Sequence, residues 1–137
     1  MQAEEGARLI EAAITHSVIG CFYRVHRELG FGYREYIYAL AIERELTDAG
    51  HRVAREVSAM VHYRGRPLAR QTLDMVVDAK LVLEIKAGER LHPGATSQLF
   101  SYLCATDLEV GLVLHFGREP AFHRVICENR LKQRAGR

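Results

Sequence analysis

Lysine is scarce in this sequence: Lys80, Lys86 and Lys132 stand against sixteen arginines in a chain of 137 residues. Wherever a generic cation is wanted the chain uses Arg, so a Lys inside an apolar run asks what a compact ammonium does there that a guanidinium would not. Cysteine is equally sparse. Cys21, Cys104 and Cys127 are odd in number, widely spaced and set among apolar residues, which argues against a disulfide framework or a zinc ligand set and predicts buried thiols in a reducing compartment. Long hydrophobic runs are missing too. No stretch approaches the roughly 20 apolar residues of a membrane span, and the start "MQAEEGARLIEAAITHS" is acidic and lacks the apolar centre of a signal peptide. The expectation is a cytoplasmic protein with no membrane partner. There is no Lys/Arg tail, internal repeat or low-complexity stretch, and the net charge of +2 permits nucleic-acid binding without demanding it. The seven histidines form no H-x-x-x-H, H-E-x-x-H or Cys/His cluster, so most are read as surface or packing residues.

With 48% hydrophobic residues, the chain suffices for one domain with its own core, taken as residues 1–137 with a flexible tail from about 131. Apolar residues at Ile10, Ile14, Val18, Cys21, Val25 and Leu29 follow the three-and-four spacing of an amphipathic helix from Ala7 to about Leu29, stopped by "GFG". A second helix is expected from about Tyr33 to Ala49, before Gly50. The period then changes to that of strands, with "YRGRP" (Tyr63 to Pro67) as a hairpin turn and "LVLEIKA" as a third strand. "ATSQLFSYLCAT" reads as a helix, "EVGLVLHFG" as an apolar strand and "FHRVIC" as a last one. The order α-α-β-β-β-α-β-β predicts an α/β fold with a mixed sheet flanked by helices.

Within "LDMVVDAKLVLEIKAG", Asp74, Glu84 and Lys86 interrupt two apolar strands. Side chains alternate faces along a strand, which puts Glu84 and Lys86 on one surface. If Asp78, Ala79 and Lys80 form a three-residue connection, Val77 pairs with Leu81 and Asp74 comes to lie opposite Glu84; a two-residue turn would move Asp74 to the wrong face. Opposed carboxylates repel, so a hard divalent cation between them, with Lys86 nearby, is the economical arrangement. The bland alternative is a solvated strand face with a weak ion pair. The apolar flanks, and a Lys where this chain elsewhere uses Arg, favour the site.

"LDMVV", "LEIKA" and "QLFSYL", with Asp74 and Glu84 separated by nine residues, resemble the core of the PD-(D/E)XK nuclease superfamily. "GYREYIY", with Gly32, Glu35 and Tyr38, resembles the small bacterial GxxExxY proteins assigned to it. The resemblance runs from about residue 10 to 127. It implies a restriction-endonuclease-like fold and a nuclease cutting phosphodiester bonds in nucleic acid, DNA ahead of RNA, with Mg²⁺ or Mn²⁺. Asp74, Glu84 and the backbone of Ile85 would bind the metal, with Glu35 as an additional acid. Lys86 would activate water, and Gln98, with Tyr102 one turn on, would position water or a phosphate. Tyr38 gains a substrate role from the motif, whereas Tyr33 and Tyr36 are read as packing against the sheet. The chain departs from the family in having Leu73 before the acid and Thr72 where an Arg is usual, leaving Arg70, two positions earlier, as the nearest phosphate contact. Cutting both strands of a duplex would call for a homodimer. The alternative reading is a nuclease-fold module that binds nucleic acid or a protein without cutting.

Overall fold

The computed structural model describes residues 11–132. Two helices come first, α1 (Ala12–Leu29) and α2 (Glu35–Asp48), followed by β1 (Val53–Tyr63), β2 (Arg66–Val77) and β3 (Leu81–Ala87). Helix α3 (Ala95–Cys104) leads to β4 (Val110–Phe116), β5 (Pro120–Ile126) and a 3₁₀ turn at Asn129–Leu131. The expected beginning of α1 at residues 7–10 lies outside the described residues. So does most of the tail; Leu131 closes the 3₁₀ turn, and Lys132 is held, its ammonium donating to the carbonyls of Thr106 (2.7 Å) and Leu108 (2.8 Å).

The five strands lie in the order β1-β2-β3-β4-β5, antiparallel except for the parallel pair β3–β4, with α3 as the crossover that a parallel pair requires. Helices α1 and α2 cover one face, where Phe22, Tyr38 and Ile42 pack on Met75, Leu83 and Leu112. On the other face α3 lays Leu99 and Leu103 against Val82 and Val113. Gly111 admits that helix closely, for a Cβ there would stand 3.0 Å from both Leu99 methyls. Central strands covered on both faces read as continuous apolar runs, and every residue of β4 is buried.

Two local devices set up the region around Asp74. The connection from β2 to β3 is the three-residue one: Val77 pairs with Leu81, and Asp78 and Ala79 both adopt left-handed backbone (φ 53° and 57°). Asp78 anchors this turn by accepting the Arg52 amide (2.8 Å), while His51 Nδ1 lies 2.7 Å from its carboxylate and His51 Nε2 lies 2.7 Å from Ser17 Oγ. Burial pushes the Asp78 carboxyl up, but the bonds from Arg52 and His51 outweigh it and hold the group below its ordinary value. The second device is the parting of β2 from β3. Their pairing ends at Met75–Leu83, while β2 stays paired with β1 out to Arg66. Beyond Asp74, β1 and β2 thus run on together as a two-stranded ribbon, exposed from Arg66 to Arg70 and at Thr72.

Candidate metal and nucleic-acid site

Where the strands part, Asp74 replaces the lost ladder bond with its side chain, Oδ2 accepting the Ile85 amide at 2.8 Å. This orients the carboxylate toward Glu84, the next position of the register. Glu84 is 5% exposed, and its Oε1 is buried without a hydrogen-bond partner. Burial first, and then the charge of Asp74, push its carboxyl up to about 8, with a backbone hydrogen bond from Asp74 and then the Lys86 charge pulling the other way. A buried acid with an orphaned oxygen beside a second carboxylate is costly in water-excluded surroundings and is relieved by a cation. Tyr102 of α3 looks onto the same pair: burial, Glu84 and Asp74 all raise its hydroxyl pKa. Gln98, one helical turn earlier, is exposed.

Glu35 opens α2 and its Oε2 accepts the Ala87 amide at 3.3 Å, which ties the helix start to the end of the E-x-K strand. It shares with Asp74 a cavity of about 210 Å³ that Arg55, Glu56 and Ile85 also line. Glu56 is a lining residue that no motif in the sequence marks. It falls at the gap in the β1–β2 register between the pairs Arg55–Met75 and Val57–Leu73, level with Asp74, with a left-handed φ of 53°, a conformation uncommon for a non-glycine residue. Nothing in "AREVSAM" announces the irregularity.

Three placements differ from expectation. Tyr38 is fully buried. Its ring stacks on Phe116 with centroids 4.0 Å apart, and its hydroxyl donates to the Gly30 carbonyl (2.5 Å) and accepts the Tyr33 amide (3.2 Å). It braces the loop before α2 and cannot touch a substrate. Those same bonds hold Tyr33 outside the helix, and Arg34 is extended (φ −76°, ψ 158°), so α2 begins at Glu35. Tyr33 and Tyr36, expected to pack on the sheet, are 50% and 59% exposed. Arg70 lies on the exposed ribbon, bonded to Ser58 Oγ at 3.2 Å.

The donors fit a hard divalent ion: two adjacent carboxylates, one with an oxygen free of protein partners. Among the described residues no three His, Cys, Asp or Glu side chains form a ready-made ligand group. Carbonyl oxygen, water and substrate would have to complete the shell, the usual arrangement for Mg²⁺.

A mixed five-stranded sheet between helices, with an acid and an E-x-K brought together where two strands part, is the restriction-endonuclease-like fold. The chain belongs to the PD-(D/E)XK nuclease superfamily, which it matches over residues 12–125. Among solved structures it resembles the crystal structure of SSO0001, with a TM-score of 0.56 and 20% identity, covering 86% of this chain and 60% of that one. The likeness is one of fold, and the chain spans only about 60% of that structure's length. A search of curated proteins found no match.

Proposed function

We propose that this protein is a metal-dependent nuclease of the GxxExxY kind that hydrolyses phosphodiester bonds, in DNA before RNA, with Mg²⁺ or Mn²⁺. The observation that carries the reading is the Asp74–Glu84 pair with its orphaned buried oxygen. Asp74 and Glu84 would hold the ion, with the Ile85 carbonyl as a further donor and Glu35 as an acid across the adjoining cavity. A bound divalent ion supplies Lewis-acid activation of water and neutralises charge on the phosphate. The half-buried Lys86 ammonium, on the Glu84 face of β3, donates hydrogen bonds to the attacking water or to a phosphate oxygen, where negative charge grows in the transition state. Tyr102 and Gln98 present a hydroxyl and an amide from one face of α3 to the same phosphate.

The ribbon would carry the strand past this centre. From Val57 to Thr72 it contains no acidic residue, while Arg64, Arg66 and Arg70 are exposed. Two-stranded ribbons of this kind fit a nucleic-acid groove, and guanidinium groups serve as phosphate contacts. The test is cleavage of single- and double-stranded DNA and RNA with Mg²⁺ or Mn²⁺, beside Lys86→Ala and Glu84→Ala. Cleavage that both substitutions abolish supports the reading, and activity that survives both would sink it. Mn²⁺ binding by calorimetry that depends on Asp74 and Glu84, with no cleavage of any substrate, would instead favour a module that binds without cutting.

A further inference from the structure

The loop between α1 and α2 and the first turn of α2 present aromatic rings to solvent, where apolar surface is ordinarily hidden. Phe31 is 37% exposed, and Tyr33 and Tyr36 more so. The loop is nevertheless firmly built. The buried Tyr38 hydroxyl bonds to both Gly30 and Tyr33, the Tyr33 and Tyr38 rings meet edge to face at 6.0 Å, and the left-handed φ of Gly32 (117°) makes the turn. A rigid support that holds aromatic rings in water is preorganised for a flat ligand.

These rings line an open cleft of about 610 Å³, floored by Ala87 and Gly88 at the end of the E-x-K strand and flanked by Arg34. Its volume is that of a small-ligand site. The Arg118 guanidinium lies 4.7 Å over the Phe31 ring and also bonds Glu89 Oε1 at 3.2 Å. Glu35 and Tyr36 line both this cleft and the cavity that Asp74 lines, so the aromatic shelf adjoins the Asp74 side of the carboxylate pair.

We infer that this shelf, Tyr33 and Tyr36 above all, stacks an unpaired nucleobase of the strand whose phosphate sits at Asp74 and Glu84. The substrate is then single-stranded, or frayed beside the bond that is cut. Every base has a π-face, so the contact tolerates sequence, while the neighbouring arginines suit the backbone on either side of the base. The inference rests on the nuclease reading for its substrate class. It goes beyond that reading in naming the strand state and the residues that select it.

The experiment measures binding by the full-length Lys86→Ala chain, which keeps the strand intact, in the presence of Mn²⁺. The probes are a short single-stranded DNA containing 2-aminopurine and a blunt duplex of the same sequence. Tyr36→Ala and Tyr33→Ala are expected to weaken the single strand by about 5- to 150-fold each and leave the duplex within about twofold. Tyr36→Phe should keep the affinity, and the quenching of 2-aminopurine on binding should disappear with Tyr36→Ala. Both side chains are exposed, so the variants should fold, which their unfolding midpoints check. Unchanged single-strand affinity, or equal loss on the duplex, would overturn the shelf while leaving Lys86-dependent cleavage standing. Tyrosine-dependent binding in a chain that cleaves nothing would overturn the nuclease reading alone. Failure to bind either probe would overturn both.

Discussion

Replacing Glu84 by Gln should make the metal-free protein more stable above neutral pH, the opposite of what loss of a buried polar contact ordinarily does. In the unfolded chain the carboxyl titrates near its ordinary 4.5; in the folded protein burial and the Asp74 charge push it to about 8. Between those values the folded state holds one more proton than the unfolded state, so stability falls as pH rises. The interval, at about 1.4 kcal/mol per pH unit, sets a ceiling of about 5 kcal/mol, and relaxation around the pair should reduce the observed cost to a few kcal/mol. Urea unfolding of wild type and Glu84→Gln in EDTA, from pH 4 to pH 9, isolates the effect. The two proteins should be close at pH 4 and diverge through pH 8, the variant being the more stable. Adding Mn²⁺ at pH 8 should rescue wild type and not the variant, with release of about one proton on binding at pH 7. Parallel stability curves, or a variant less stable than wild type at pH 8 without metal, would refute this account of Glu84.

Tyr38→Phe should cost about 1–3 kcal/mol by urea unfolding, because both the Gly30 carbonyl and the Tyr33 amide lose their partner while the ring still stacks on Phe116. Gly111→Ala drives a methyl into Leu99 and should cost about 1–3 kcal/mol in the same assay, relieved in part by Leu99→Ala. Glu56→Gly should be neutral or stabilising by up to about 1 kcal/mol, since glycine accepts the left-handed backbone that Glu56 is made to adopt. Charge removal at Arg64, Arg66 and Arg70 should flatten the salt dependence of nucleic-acid binding, the slope of log K against log salt falling by about 0.7–0.9 for each phosphate that is no longer neutralised. An unaltered slope in the triple variant would exclude the ribbon from the interface.

Much of the centre of this protein could be read from local pattern. "LVLEIKA" and "VGLVLHF" are apolar enough to demand cover on both faces, and the period-two alternation places Glu84 and Lys86 together, because strand geometry leaves no other choice. The register of the β2–β3 connection was legible only as a pair of alternatives. What selected the three-residue turn is a set of long-range bonds from His51 and Arg52 to Asp78, which local sequence does not encode. The motif tyrosine shows the same limit. "GYREYIY" carries three tyrosines, and only packing against Phe116 decides that Tyr38 is the buried brace while Tyr33 and Tyr36 face water.

Periodicity and residue chemistry were enough to set the order of elements, the apolar core strands and the identity of the paired acids and the lysine. It took the assembled fold to part β2 from β3 at Asp74, to give Glu56 its left-handed backbone at the gap in the register, and to leave Glu84 a buried oxygen without a partner. Those features depend on how a two-stranded ribbon, the helices and the rest of the sheet share space. Burial and through-space charge, which set the chemistry of a carboxyl group, belong to the assembled fold and not to any stretch of chain.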